Sequence, residues 1–252
     1  CGLALEGFKV FTYSIGNFST LRCFEQIRND ICYHNTNTTI ITVGAGFSYG
    51  QLGISHFATE DISIMRTLPN MTIISPANSY ELGVLLPLLY EISSPKYIRI
   101  DKSSADLEAL SIVEIYRPTL YFEEGYDICI FTTGGILSEA ISACSELSKK
   151  GVKATVYSFH TLKPIDEEFL KNIVKPFNNI LTIEEHTLLG GLSSIISEVL
   201  IKNKNKNKPN NFISLGINDT FSDVVGDQKY LRSFYKLDSE SIQERIIQEL
   251  DI

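Results

Sequence analysis

Short apolar runs alternate with amphipathic segments along the first part of the chain. The apolar runs predict strands at residues 8–13, 38–43, 71–75 and 97–100. Apolar positions at helical spacing predict helices at 21–34 and 80–92, and the acidic sequence Thr59-Glu60-Asp61 predicts the start of another helix. A chain in which strands alternate with helices predicts a mostly parallel sheet with right-handed crossovers.

The same alternation returns after residue 120 and predicts a second α/β unit. Strands are expected at residues 126–132, 152–159, 179–183 and 212–215. Double glycines at 134–135 and 190–191 each precede a predicted helix, and Asp166 is placed to cap another. The segment between the units has mixed polarity and weak periodicity. We therefore expect two doubly wound α/β domains, residues 1–104 and 120–252, joined by a linker at 105–119.

The composition is that of an ordinary globular chain, and it excludes several classes of protein. The 252 residues are 44% hydrophobic and 21% charged, enough for two modest domains. The net charge of −8 argues against general nucleic-acid binding. No apolar run has the length of a membrane span, and no secretory signal is visible. The lysine- and asparagine-rich residues 202–211 predict a solvated loop.

Cysteine and histidine are scattered, and neither type has the spacing of a metal site. The five cysteines form no Cys-x-x-Cys pair, which favours reduced thiols in a cytoplasmic protein. The four histidines are His34, His56, His160 and His186. Because no two of them have the spacing of metal ligands, we expect no metal site built by this chain.

The stretch that carries most chemical information is residues 42–66, TVGAGFSYGQLGISHFATEDISIMR. It follows a predicted strand, is rich in glycine and leads into a predicted helix, a layout that brings a loop to a ligand at the carboxyl edge of a sheet. His56 lies between the loop and the helix, and imidazoles titrate near neutral pH, which suits proton transfer. The same features are also typical of a glycine-rich connection with an incidental histidine.

The longer string GAGFSYGQLGISHFATEDISIMRTLPNMTIISPANSYE resembles, without a gap, the pyrimidine-binding domain of the transketolase family. In the second half, TLKPID and LTIEEHTLLGGLSSIISEVL resemble the C-terminal domain of the same family. The resemblance implies a pyrimidine-binding domain of thiamine diphosphate enzymes, followed by a transketolase C-terminal-like domain. In the family, the second domain mainly supports the dimer, so we interpret Glu184-Glu185-His186 as structural.

The resemblance implies the C-terminal subunit of a split transketolase-like enzyme, which transfers a two-carbon ketol unit between sugars through thiamine diphosphate. Family active sites lie between subunits, and a diphosphate-binding domain holds Mg²⁺ there. The chain lacks the Gly-Asp-Gly…Asn motif of that domain. We therefore expect a separate N-terminal subunit to hold most of the thiamine diphosphate and the Mg²⁺, in a heterotetramer built on homodimer contacts. The isolated chain is expected to be inactive.

Three residues are the candidates for site chemistry under this resemblance. His56 matches the family histidine or glutamine near the reactive carbon of the cofactor, so we expect catalytic and cofactor-binding roles. Phe18 is the only aromatic in the loop at 14–20 and is the candidate to stack on the cofactor pyrimidine; the alternative is an ordinary core residue. Arg99 matches a family arginine that binds sugar phosphate; the alternative is a structural ion pair, since a charge in an apolar strand needs a partner.

Two positions depart from the family pattern and put the substrate in doubt. The family's sugar-binding histidine aligns with Gly44, and its aspartate partner aligns with Leu52. Neither residue can hydrogen-bond a sugar hydroxyl through its side chain. We therefore expect a sugar phosphate or a modified sugar rather than the usual ketoses in their usual pose.

The start of the chain reads as the last turn of a helix that ends at Gly7, so we expect a truncated chain. Under the resemblance, the first strand of the domain is missing, together with the glutamate that contacts the thiamine pyrimidine. Two other functions stay open. One is the β-subunit of a 2-oxo acid dehydrogenase, which shares both domains, and the other is a non-catalytic relic that serves as a binding module.

Overall fold

The computed structural model describes residues 1–102, 107–202 and 211–251. The predicted solvated loop at 202–211 lies almost wholly outside these described residues, and so does the start of the predicted linker. Within the described part the chain forms two five-stranded sheets, each flanked by helices. The predicted fold class, two α/β domains, is confirmed.

Four parallel strands from the first half of the chain build most of the first sheet. They are β1 (Val10–Ile15), β2 (Thr38–Val43), β3 (Thr72–Ile74) and β4 (Lys96–Ile100), in the order β1-β2-β4-β3. The helices of this half are α1 (Gly2–Leu5), α2 (Phe24–Gln26), α3 (Asp61–Arg66) and α4 (Ser79–Glu91). Asn78 caps α4 because its side chain accepts a hydrogen bond from the Glu81 N–H, and Glu81 in turn accepts a bond from the Ala77 N–H.

The second half supplies the second sheet and one strand of the first. Its strands are β5 (Thr119–Glu123), β6 (Ile128–Thr133), β7 (Ala154–Ser158), β8 (Thr161–Lys163), β9 (Asn179–Thr187) and β10 (Asn211–Ile217). The second sheet has the order β10-β9-β6-β7-β5, and only β5 is antiparallel to its neighbour. Its helices are α5 (Leu137–Lys149), α6 (Glu167–Ile173), α7 (Leu192–Lys202), α8 (Gln228–Phe234) and α9 (Ser239–Leu250).

The two halves share structure across the boundary that the sequence pattern suggests. β8, from the second half, pairs antiparallel with β3 and forms an edge of the first sheet. The largest apolar core also contains residues of both halves, among them Met65 and Tyr97 from the first and Phe131 and Phe159 from the second. Burial of this shared core therefore makes each half contribute to the stability of the other.

Some predicted elements differ in length from the observed ones. The helix predicted at 21–34 is the short α2 followed by a π-helical turn, Ile27–Cys32. Both ends of this turn are buried, because residues five apart share one face in a π-helix. The strand predicted at 179–183 continues to Thr187, so Glu184, Glu185 and His186 lie inside β9 instead of after it.

The five cysteines are free thiols, and Cys32, Cys129 and Cys144 are buried. Burial raises the pKa of Cys32 to about 11 and that of Cys144 to about 12, so these thiols stay protonated at neutral pH. Among the described residues, no helix combines the length and the apolar character that crossing a bilayer requires.

Candidate functional site

The site lies where three neighbouring strands of the first sheet end at the same level. Ile15, the last residue of β1, pairs with Val43, the last residue of β2, and Val43 pairs with Ile100 at the end of β4. The segments that follow these strands therefore meet at the carboxyl edge of the sheet. They are the turn with Phe18, the glycine loop (residues 44–58) and the pair Asp101-Lys102.

Phe18 and His56 are brought together at this edge, although they are far apart in sequence. Their ring centroids are 5.0 Å apart in an edge-on arrangement. Asn17 ties the two loops together because its side-chain amide donates a hydrogen bond to the Ser55 carbonyl at 2.7 Å. The Ser55 hydroxyl lies 2.9 Å from His56 Nδ1, and the His56 N–H donates to the Gly53 carbonyl. The imidazole is half-buried, so it has a defined position and still reaches solvent.

The glycine loop carries a second aromatic ring that sequence reasoning did not single out. Tyr49 lies 6.5 Å from the His56 ring, and its own ring covers Gly44. A side chain at position 44 would collide with Tyr49, and the backbone there has a φ of +97°, which favours glycine. The space that a side chain at position 44 would need is therefore filled by the Tyr49 ring.

Two cationic side chains flank the aromatic residues of the site. The Arg22 guanidinium lies 3.9 Å from the centroid of the Phe18 ring, and Lys102 Nζ lies 4.4 Å from that of Tyr49. Both cations are exposed or nearly so, and both contacts have cation–π geometry. A chain with a net charge of −8 thus presents two positive groups over the two aromatic rings that border His56. Lys102 lies two residues after the end of β4, and this place at the carboxyl edge of the sheet is the signal that could have identified it.

A cavity of about 390 Å³ opens on one side of Phe18. Its wall is formed by β1, by the turn that carries Phe18 and by the helical segment that follows, with Tyr13, Cys23 and Ile27 among the lining residues. The lining is mostly apolar, with several hydroxyl groups, one amide and the Asp30 carboxylate as its polar groups, which is typical of a pocket for an aromatic ring. Phe18 therefore belongs to the wall of a cavity and not to the continuous core.

Arg99 has a buried position next to the site instead of an open one. The residue is 2% exposed, and its Nε donates to Asp61 Oδ2 at 2.8 Å. Nη2 donates to the carbonyls of Ala58 and Glu185. The structure thus contains the ion pair that the alternative interpretation of Arg99 describes. The role of Arg99 in phosphate binding stays a prediction, which this burial does not favour.

The buried acidic and histidine residues of β9 lie between the two halves. Glu184 accepts the N–H groups of Leu192 and Ser193 at the start of α7, and burial raises the pKa of Glu184 to about 7. His186 Nε2 accepts the Ile62 N–H, and burial lowers the pKa of His186 to about 4, so this imidazole is neutral. Both residues complete helix ends, which is a structural role.

The carboxylates nearest the site are engaged by protein partners. Asp101 accepts a hydrogen bond from the Ser48 hydroxyl at 2.7 Å, and Asp61 pairs with Arg99. Among the described residues, no group of three or more His, Cys, Asp or Glu side chains could hold a metal ion. The site is therefore one of aromatic rings, an imidazole and two cations.

The fold and the loop at the carboxyl edge define a class, the pyrimidine-binding domains that precede a C-terminal domain of the transketolase type. Family models agree, because residues 1–106 match the transketolase pyrimidine-binding domain and residues 120–242 match the transketolase C-terminal domain. The chain belongs to the transketolase family.

Its relatives include separate subunits of two-part transketolases. A provisionally named transketolase C-terminal section of Methanocaldococcus jannaschii is 34% identical over 99% of this chain and 78% of that protein. One of the subunits of the apulose-4-phosphate transketolase of Phocaeicola vulgatus is 31% identical over 96% of this chain and 76% of its own length. The 6-deoxy-6-sulfo-D-fructose transketolase subunit SqwH of a Clostridium species is 30% identical over 96% and 74%.

A solved structure extends the similarity to three dimensions. It is a split-gene transketolase described as an inactive β4 tetramer, with a TM-score of 0.82 and 31% identity. The match covers 99% of this chain and 78% of that chain. The chain is therefore a transketolase-like subunit that spans 74–78% of the length of these relatives.

Proposed function

We propose that this chain is the C-terminal subunit of a split transketolase-like transferase, which passes a two-carbon ketol unit between sugars. The observation that carries the proposal is the contact of Phe18 with His56 at the carboxyl edge of the sheet, 5.0 Å between ring centroids, with a cavity on one side of Phe18. Its similarity to separate subunits of split transketolases supports the same assignment. The function would then need a second chain.

The residues around the cavity fit the aromatic part of thiamine diphosphate. When bound, this cofactor supplies a carbanion equivalent that no amino-acid side chain provides. Phe18 offers a ring for stacking, and the cavity of about 390 Å³ has the mixed apolar and polar lining that a heterocycle needs. We propose that Mg²⁺ and most of the diphosphate are held by an N-terminal subunit.

His56 is the group that we propose to act on the substrate. Its Nδ1 is engaged by the Ser55 hydroxyl, which leaves Nε2 for a substrate oxygen. The Phe18 and Tyr49 rings restrict the imidazole to one region at the mouth of the site. An imidazole held in this way donates a hydrogen bond to a substrate oxygen, or moves a proton to or from it.

The charges at the site favour an anionic sugar. Lys102 and Arg22 lie beside the aromatic residues and reach solvent, whereas Arg99 is buried in its ion pair. We therefore propose that Lys102 attracts the phosphate or another anionic group of the substrate, a role first predicted for Arg99. The names of two relatives specify a phosphorylated and a sulfonated sugar. The apolar Leu52, which is 55% exposed, is consistent with a modified sugar chain.

The partner and the compartment follow from the same proposal. A separate N-terminal chain would complete each active site, and homodimer contacts would produce a heterotetramer. The five free thiols favour a reducing, cytoplasmic compartment. The function needs no nucleic-acid or membrane partner.

The role of His56 is tested in the enzyme assembled with its N-terminal subunit. His56→Ala should lower turnover by about 10²-fold or more, with little effect on cofactor affinity. His34→Ala is the matched control, because His34 is exposed and also lies edge-on to an aromatic ring, that of Tyr33, away from the site. Equal rates for the two variants would show that His56 has no catalytic role.

A requirement for a lipoyl domain in the assay would favour the alternative function, the β-subunit of a 2-oxo acid dehydrogenase.

Substrate charge and the need for a partner are tested separately. Lys102→Met should raise KM for phosphorylated substrates more than for neutral ones, and Arg99→Met should not show this selectivity. If Arg99→Met shows this selectivity and Lys102→Met does not, Arg99 and not Lys102 binds the phosphate.

The isolated chain should show no measurable affinity for thiamine diphosphate by calorimetry, and tight binding would contradict the proposed division between two subunits.

A further inference from the structure

A carboxylate from the second half of the chain reaches into the glycine loop of the first half. Glu185 lies in β9 and is 3% exposed. Its Oε1 accepts a hydrogen bond from the Phe47 backbone N–H at 2.5 Å. Gly46 permits this approach, because a Cβ there would lie 2.5 Å from Oε1. The contact joins the two halves directly at the loop that carries His56.

Partners from the end of the chain fix the position of this carboxylate. Arg232 in α8 donates from Nε to Glu185 Oε2 at 2.6 Å, and its Nη2 lies 3.6 Å from Asp101 Oδ2. Gln228 donates from its amide to Glu185 Oε1 at 2.8 Å and to Asp101 Oδ1 at 3.2 Å. Glu185 therefore has a cationic partner and hydrogen-bond donors at both carboxylate oxygens, as a buried carboxylate must have.

The contact with Phe47 determines where the next residues of the glycine loop lie. Ser48 donates its hydroxyl to Asp101 Oδ1 at 2.7 Å, so the same network holds two successive residues. Tyr49 follows directly, and its ring contacts both His56 and the Lys102 ammonium. A shift of the loop at Phe47 would therefore move the aromatic ring that borders both groups.

We propose that Glu185 is a positioning residue of the active site: its carboxylate, held by Arg232, fixes the glycine loop so that Tyr49 and His56 keep their places. The C-terminal domain thus contributes to the geometry of the site and does not only support the dimer. The catalytic meaning of this role rests on the proposed function, but the positioning itself is measurable in the full chain without a partner.

Two substitutions at Glu185 distinguish the effect of its side-chain length from the effect of its charge. Glu185→Asp keeps the charge that Arg232 needs but is one methylene too short to reach the Phe47 N–H. Glu185→Gln keeps the length and an acceptor oxygen, so it should preserve more of the loop position. Glu184→Asp is the matched control, since this neighbouring buried carboxylate accepts two backbone N–H groups at α7 and does not contact the loop.

The experiment is amide hydrogen exchange by NMR on the full chain, with the His56 imidazole resonance as a second signal. Glu185→Asp should raise the exchange rate at Phe47 by at least about tenfold and shift the His56 resonance. Glu185→Gln should give a smaller change. Glu184→Asp should raise exchange at Leu192 and Ser193 instead and leave Phe47 and His56 unchanged.

Urea unfolding of every variant provides the correction for a change in global stability. The proposal is overturned if, after this correction, Phe47 exchanges no faster in Glu185→Asp than in Glu184→Asp, or if the His56 resonance does not move. If Glu185→Asp loosens the loop but the unchanged chain, assembled with its N-terminal subunit, has no transketolase activity, the positioning role stands and the proposed function is wrong.

Discussion

At the residue scale, the buried charges of this protein are concentrated where its two halves meet. Arg99 and Asp61 are each nearly inaccessible to solvent and pair at 2.8 Å. Asp61 Oδ2 also accepts a hydrogen bond from the Tyr97 hydroxyl at 2.6 Å. A buried ion pair contributes little net stability by itself, but the loss of one partner leaves a desolvated charge behind. A substitution that removes one partner should therefore lower the free energy of unfolding more for a buried ion pair than for an exposed one.

Arg99→Ala should lower the free energy of unfolding by about 3–5 kcal/mol, because Asp61 would remain buried without its cation. Arg66→Ala, which removes a more exposed ion pair with Glu198, should cost less than about 1 kcal/mol. Urea unfolding followed by circular dichroism measures both values. Similar losses for the two variants would contradict the structural role of the Arg99–Asp61 pair.

The pH dependence of stability is set in part by two buried groups that act in opposite directions. Burial raises the pKa of Glu81 to about 7, so its contribution is fully present below about pH 4.5 and is lost as the pH rises through 7. Burial lowers the pKa of His160 to about 4, so its contribution is present above about pH 6.5 and is lost as the pH falls through 4.

Glu81→Gln should therefore make stability rise more steeply with pH, or fall less, between about pH 4.5 and 7 than in the unchanged chain. The difference across this range should reach at most about 3 kcal/mol, and glutamine can still serve in the capping box of α4. Urea unfolding at several pH values tests this, with exposed Glu244→Gln as the control. Parallel curves for Glu81→Gln and the unchanged chain would contradict the raised pKa.

At the scale of single elements, glycine is required at one position of the glycine loop, whereas at one position of α4 it is only destabilising. Gly46 has a φ of +54° and is in close contact with Glu185, so the loop requires the absence of a side chain. Gly83 lies inside α4 with no atom within 4 Å of the place where a Cβ would be. Glycine there only weakens the helix.

Gly46→Ala should destabilise the protein by about 1–3 kcal/mol from backbone strain alone, with a further cost from the displaced carboxylate. Gly83→Ala should stabilise it by about 0.5–1 kcal/mol. Thermal unfolding shows both effects as shifts of Tm in opposite directions. A lower Tm for Gly83→Ala would mean that α4 is not limited by helix propensity at this position.

The elements also show what sequence patterns could and could not predict. Periodicity identified α4, α5 and most strands, and the turn chemistry at Asp166 correctly predicted a helix cap. The antiparallel pairing of β8 with β3 was missed, because β8 is a three-residue strand whose partner lies in the other domain. His56 and Phe18 could be singled out from sequence, whereas Tyr49, Arg22 and Glu185 acquire their roles only through packing.

At the scale of the whole molecule, the two sheets meet through their carboxyl ends. The Gly134 N–H after β6 donates to the Ser75 carbonyl after β3, and the Thr187 N–H of β9 donates to the Thr59 carbonyl. The largest apolar core crosses the same junction. Because the largest apolar core contains residues of both halves, the two should unfold together.

Thermal or urea unfolding of the full chain should give one cooperative transition, with coincident curves from far-UV circular dichroism and tyrosine fluorescence. A fragment of residues 1–106 should not fold, since it would expose its share of the common core and would lack β8 at the edge of its sheet. Two separated transitions, or a well-folded fragment, would show that the domains are thermodynamically independent.

The sequence by itself determined the alternation of strands and helices, the two-domain α/β class and the family, because these depend on local periodicity and on contiguous motifs. Tertiary structure decided which charges are accessible at the site. Arg99 and Lys102 are near neighbours in sequence, yet one is buried in an ion pair and the other lies exposed over an aromatic ring. Burial and pairing depend on elements distant in the chain, such as Asp61 and β9, so no local pattern contains them.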